Sequence, residues 1–219
     1  EEVKKDIVDK LKFKKESIFQ ASYARSNLSY SVRLVEDKEG KLLEVLNKVK
    51  GSAVVYVGTR KATKEIAHFL YRNGIMADYY HAGLSYEQRN AKQDNWIKNK
   101  TRVIVATNAF GMGIDKPDVR TVIHLHLPAT LEAYYQEAGR AGRDGKKAYA
   151  VVLYYLSDIE DLKHKIRFQH PTIELLKRVY QCLANNYKIA VGSSAEGSYD
   201  FDLATFVEVY NLESLPTYY

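Results

Sequence analysis

The stretch Lys41-Leu42-Leu43-Glu44-Val45-Leu46-Asn47-Lys48-Val49-Lys50-Gly51-Ser52-Ala53-Val54-Val55-Tyr56-Val57 sets the pattern for most of the chain. Leu42, Leu43, Leu46 and Val49 fall on one helical face, Gly51 stops the helix, and Ala53 to Val57 is a short apolar run. A strand that is apolar on both faces belongs in a sheet covered on both sides. The same unit recurs downstream. Ala62 to Asn73 predicts a helix ended by Asn73-Gly74, Ala77 to Tyr80 a strand, and Ser85 to Lys98 a helix opened by Ser85 and Gln88 as a capping box. Arg102 to Ala106 and Val119 to Leu127 predict further strands, Leu131 to Ala138 a helix, and Ala148 to Leu153 the last strand. Strands alternating with helices imply right-handed crossovers, hence an α/β fold with a parallel sheet and helices on both faces.

Upstream, residues Asp6 to Lys15 carry charges around Ile7, Val8, Leu11 and Phe13, and Ile18 to Val35 alternates polar with apolar residues. This predicts a lead-in that ends as an edge strand. Beyond Ser157 the character changes. Ser157 and Glu160 suit the start of a short helix, Ile173 to Asn185 a second helix, and a polar link from Gly192 to Tyr199 precedes Phe201 to Asn211. The expected division is therefore 1–156 as the α/β domain and 157–219 as a small, mainly helical appendage.

With 219 residues, 46% of them hydrophobic, the chain can build a full core. Lys+Arg 33 against Asp+Glu 27 leaves a net charge of +6, consistent with a polyanionic partner. The single cysteine, Cys182, excludes an internal disulfide framework and a multi-cysteine zinc site, and suits a reducing compartment. No apolar run approaches the ~18 residues that span a bilayer, and the first residues lack a signal-peptide core. These features predict a soluble piece cut from a longer protein, with no membrane partner.

Ligands of parallel sheets bind in loops beyond the carboxyl ends of the strands. Three such loops carry polar chemistry: Gly58-Thr59-Arg60-Lys61, His81-Ala82-Gly83, and Thr107 to Pro117. A fourth segment, Gln136-Glu137-Ala138-Gly139-Arg140-Ala141-Gly142-Arg143-Asp144-Gly145, sets two arginines three apart in a glycine-spaced turn. Guanidinium groups stay charged and offer planar forks of donors, which suits charge spreading over phosphoryl oxygens. Neither nucleotide fingerprint is complete, however. Around Gly139 to Lys147 the P-loop spacing is wrong and a strand follows where a helix is needed, and Lys116 replaces the third glycine of a dinucleotide motif after Gly111-Met112-Gly113. A nucleotide met by this chain would be held mainly by another domain.

Read together, Val54 to Arg60, Tyr80-His81-Ala82-Gly83-Leu84, Val105 to Arg120 and Gln136 to Gly145 resemble helicase motifs IV, IVa, V and VI of RecQ-type DNA helicases, in that order. Arg25-Ser26-Asn27-Leu28 is similar to the family's Arg-Pro-Asn-Leu lead into the second motor domain, with Ser26 in place of proline. Related RNA helicases show His-Arg where this chain has Gln136-Glu137, so the resemblance favours DNA. It covers about residues 18–156 and implies a RecA-like second motor domain of an ATP-dependent 3′→5′ DNA helicase of repair and recombination. ATP with Mg²⁺ would sit mainly on a separate N-terminal RecA-like domain, leaving this chain inactive alone. The resemblance further implies that Arg143 reaches the γ-phosphate with Arg140 beside it, that Asp115 contacts the ribose, and that Gly113 borders the nucleotide.

For single-stranded or partly duplex DNA the candidates are Thr59, Arg60, His81, Thr107 and Asn108, all in loops after strand ends and able to donate to backbone phosphates. Thr59 is equally suited to cap the helix that follows, and His81 to a local hydrogen bond. Trp96 and most of the eighteen tyrosines suit core packing. Tyr134 and Tyr135 are placed to support the arginine turn from behind. The four-cysteine zinc platform common in RecQ proteins has no counterpart here, so no metal site is expected. The expected location is cytoplasmic, bacterial and nucleoid-associated, rather than nuclear. The competing function is a non-catalytic module that binds single strands with the same fold.

Overall fold

The computed structural model describes residues 2–12, 19, 24–111, 114–190, 192–193 and 197–213. Much of the expected lead-in, residues 13–18 and 20–23, lies outside these. The chain opens with a helix, α1 (Glu2–Leu11), where only a charged lead-in was expected, and the edge strand β1 (Leu28–Leu34) follows.

Helix α2 (Lys38–Lys48) begins three residues before the sequence pattern suggests, because the Asp37 carboxylate accepts from the Gly40 amide and caps it there. It feeds β2 (Ser52–Tyr56), which is buried throughout. Then come α3 (Arg60–Arg72), β3 (Ala77–Tyr80), α4 (Tyr86–Ile97) and β4 (Val103–Ala106). The Ser85–Gln88 capping box forms at the start of α4. β5 (Val119–His124) stops three residues earlier than its apolar run, and α5 (Leu131–Ala138) and β6 (Ala148–Tyr154) complete the α/β region.

All strand pairs are parallel, and the six strands run in the order β1-β6-β5-β2-β4-β3. One face buries Leu42 and Leu46 of α2 with Ile66 and Leu70 of α3 against Val55, Val105 and Leu153. The other buries Trp96 of α4 and Ala138 of α5 against Val54, Ile104 and Val122. Trp96 is the largest fully buried side chain, and its Nε1 donates to the Ala53 carbonyl at 3.1 Å. This is the expected parallel sheet with a helical layer on each face, a RecA-like arrangement.

The helices α6 (Leu156–Gln169), α7 (Ile173–Asn186) and α8 (Leu203–Val209) follow. The start of α6 corrects the expected Ser157 cap: the Tyr155 amide donates to Asp158 at 2.6 Å, and the helix begins at Leu156. Lys38 of α2 bridges Asp158 at 2.6 Å and donates to the Leu125 carbonyl at 2.9 Å, tying the first turn of α6 to the sheet.

Candidate functional site

The candidate residues fall into two groups, anchored by their backbones at different edges of the sheet. The loops after β2, β3 and β4, adjacent strands in one parallel sheet, place Thr59, His81 and Thr107 along its carboxyl edge. The arginine turn returns to the amino ends of β5 and β6: the Gly142 amide donates to the Val119 carbonyl at 2.8 Å and the Asp144 amide to that of Pro117 at 3.1 Å. α5 runs between the two edges.

At the carboxyl edge, Thr59 caps α3 by accepting from the Ala62 amide at 3.1 Å. Arg60, exposed, lies against Gly83, where an added Cβ would stand 3.0 Å from its guanidinium and 3.4 Å from the His81 ring. Guanidinium and imidazole thus converge on the one residue that leaves them room. His81 does not hang in an open loop as the sequence suggests. It is 5% exposed, stacks on Tyr79 at 5.8 Å, and neither ring nitrogen has a hydrogen-bond partner. Burial lowers its pKa, and the positive charges of Lys64 and Arg60 push in the same direction.

Thr107 and Asn108 border a cavity of about 290 Å³ between the strand ends, α5 and α6, together with Gly58, His126 and Glu137. His126 escaped the sequence reading because the apolar run led β5 on to Leu127, which hid a loop histidine inside a supposed strand. Burial lowers its pKa, and the charge of His124 adds to that.

At the arginine turn, Arg140 donates to the Gly111 carbonyl at 2.6 Å and its Nε is buried without a partner. Gly111 has φ 139°, and a Cβ there would stand 2.0 Å from the Arg140 guanidinium, so any other residue would strain the backbone and displace the arginine from this position. Arg143 donates to Asp115 at 2.7 Å and to the Ile114 carbonyl at 3.2 Å. Its side chain is 36% exposed and that of Asp115 80%. Arg140, Arg143 and Asp115 therefore meet on one loop, while Gly113 of that loop lies outside the described residues.

The turn is stapled from the lead-in. Arg25 donates to the Ala141 carbonyl, and Asn27 to those of Gly142 at 2.7 Å and Lys146 at 2.9 Å. Arg120 pairs with Asp144 at 2.6 Å on the other flank. Tyr134 and Tyr135 of α5 pack with Tyr30 of β1, ring centroids 6.1 and 5.9 Å away.

Residues 37–145 match the family described as helicase conserved C-terminal domain. The chain is 44% identical to the RecQ-like DNA helicase blm-1 of Caenorhabditis elegans over 74% of its own length and 17% of that protein. It is 41% identical to the ATP-dependent DNA helicase RecQ of Bacillus subtilis (strain 168) over 72% of its length and 27% of that protein. The chain belongs to the RecQ family of helicases. It carries that family's C-terminal helicase domain and spans only a minor part of these relatives. Among solved structures, the RecQ-family fold seen here resembles a DEAD-box protein from the hyperthermophile Methanococcus jannaschii, with TM-score 0.55 and 32% identity over 64% of this chain and 39% of that one. Among the described residues no group of three or more His, Cys, Asp or Glu could hold a metal ion, and no helix is long and apolar enough to cross a membrane.

Proposed function

We propose that this domain is the C-terminal motor half of an ATP-dependent DNA helicase, supplying Arg143 and Arg140 to ATP held by an N-terminal RecA-like half. The observation that carries this is the convergence of both guanidinium groups on the Gly111–Asp115 loop. The Arg140 guanidinium is held against the Gly111 carbonyl and the Tyr56 hydroxyl, which fixes it beside the loop that Arg143 also meets. When bound, ATP supplies a phosphoryl group for transfer to water. Arg143, exposed enough to leave Asp115, would stabilise the charge that develops on that group, and Asp115 would be freed for the ribose. Mg²⁺ ligands are assigned to the other half.

Single-stranded DNA would follow the carboxyl edge past Thr59, Arg60, Thr107 and Asn108, held by its phosphates and therefore without reading its sequence. His81, buried against Arg60, would shape this grip from beneath. The 3′→5′ direction and the division at residue 156 belong to the same proposal, on the strength of the family resemblance.

The test is DNA-stimulated ATP hydrolysis by this chain joined to an N-terminal RecA-like half, with and without Arg143→Ala. A fall of ~10³-fold or more is expected, the usual range for a lost arginine finger. Equal rates would overturn the finger and favour a domain that only binds strands.

A further inference from the structure

Sideways, the sheet ends in two strands that are not alike. β3 is four residues long and carries a charge, Asp78, which bridges Lys92 at 2.5 Å. β1 runs for seven residues in unbroken register with β6, without a bulge or a proline, and among the described residues it pairs with no other strand. A long, regular edge strand without such protection leaves a row of backbone donors and acceptors open to another strand.

Successive side chains of β1 point to opposite faces, and the two faces differ in chemistry. Tyr30, Val32 and Leu34 share the α5 face and are 48%, 62% and 55% exposed. Beside them an apolar groove of about 370 Å³ opens between Val32, Pro128, Leu131, Tyr134 and Leu162, with no charged side chain in its walls. On the α2 face, Ser29, Ser31 and Arg33 border a second groove of about 670 Å³, whose floor includes Val45, Val49 and Val151. The rim of this groove is cationic. Lys41 and Lys48 flank Glu44, the one acid in its walls, and their hydrogen bonds at 2.7 Å hold that carboxyl down to about 2. Arg33 donates to Ser31 at 3.0 Å and pairs with no carboxylate among the described residues. Lys147 adds a further charge 5.7 Å from the ring of Tyr149, another lining residue.

We propose that the open side of β1 receives an extended peptide segment of a partner protein, in which acidic residues alternate with apolar ones. The backbone of that segment continues the sheet beyond β1. Its apolar side chains join Tyr30 and Val32 on the α5 face, and its carboxylates meet Arg33, Lys41 and Lys48 on the α2 face. A second copy of this chain fits less well, because it brings the same cations to the same rim. A nucleic acid strand matches the cations but neither the backbone ladder nor the apolar face. The site is independent of the roles proposed for the arginine turn and the carboxyl edge.

The test is fluorescence anisotropy of a labelled synthetic peptide as long as β1, alternating glutamate with valine, titrated with this chain. Two control peptides run beside it, one with the same residues in two blocks and one with lysine in place of glutamate. The alternating acidic peptide should bind and should slow hydrogen exchange of β1 amides. Val32→Lys and Arg33→Glu, both at exposed positions, should each weaken it ~10-fold, the size of a cross-strand contact turned from attraction to repulsion. Equal binding of the block peptide overturns the added strand, because charge alone then suffices. Equal binding of the lysine peptide overturns the acidic partner, and no binding, or unchanged exchange in β1, overturns the proposal outright. Displacement of the peptide by oligothymidylate moves its site to the path of the nucleic acid and away from β1. A mass that rises with chain concentration and returns to that of the monomer in Val32→Lys makes a second copy the occupant instead.

Discussion

At the scale of single residues, His81 combines burial with a cationic neighbourhood. Its pKa is pushed below the ordinary 6.5, first by burial and then by Lys64, Arg60 and Lys92, of which Lys92 also bridges Asp78 at 2.5 Å. In the unfolded chain the ring takes up a proton near 6.5, and in the folded chain only at lower pH. The unfolded state therefore binds more protons in that window, and stability rises with pH through it. Acidification from neutral pH should lower the melting temperature, and His81→Gln should flatten the dependence in thermal denaturation followed from pH 7.5 to about 5.5. Some slope should survive in the variant because His126 is shifted in the same direction by its own burial. The residue types and their loops were legible in the sequence, and the arginine pair most of all, since the glycine spacing itself announces a close approach. What could not be read was depth. Nothing in Tyr80-His81-Ala82 says that the ring turns inward onto Tyr79, nor that Glu137, on a short amphipathic helix, points at a histidine thirteen residues earlier.

Elements here are held at their ends by side chains, some local and some remote. Thr59 caps α3 from the adjacent position, a role visible in the sequence. Arg102 closes α2 from afar: it donates to the carbonyls of Leu46, of Val49 at 3.0 Å and of Gly51 at 3.0 Å, satisfying acceptors at the helix end. Arg25 and Asn27 do the same for the arginine turn from across the sheet. Such remote caps have no spacing to betray them, whereas the helix starts that shifted did so on local caps, Asp37 at α2 and Asp158 at α6. The Thr59 cap yields a measurable expectation. Thr59→Ala should cost about 1 kcal/mol, or about 2–4 °C in melting temperature for a chain of this size, whereas Thr59→Ser should keep most of it. Strand affinity measured on the same variants then separates the cap from any direct contact. A contact through the hydroxyl is lost in the alanine variant and kept in the serine one, at equal folded fraction.

For the molecule as a whole, the net charge of +6 matters less than where the cations lie. If phosphates bind along the carboxyl edge, affinity for single-stranded oligothymidylate should fall with salt by about 0.7 logarithmic units per tenfold for each phosphate neutralised. Arg60→Ala should then reduce the magnitude of the slope by about 0.7, with little dependence on base sequence. Lys146→Ala, at the other edge, should leave the slope unchanged. The overall architecture was the most legible level of all, because strand and helix periods alternate so regularly that few topologies fit. Strand order was less so, since hydrophobic runs do not say which neighbours pair.

The pairing of β1 with β6 shows what that order entails. Leu28 lies beside Ala148 and Leu34 beside Tyr154, so nearly all of the α/β region separates the partners in sequence. Closing so long a loop delivers no contacts until its end, whereas β2, β3, β4 and β5 can assemble from nearer neighbours. During synthesis β1 leaves the ribosome before any of these strands, yet it must wait for the last to emerge. The lead-in whose Arg25 and Asn27 staple the arginine turn waits with it. The arginine turn thus takes its final shape only when the edge strand β1 is laid down beside β6, and an incomplete chain holds its two arginines without the staple that fixes them.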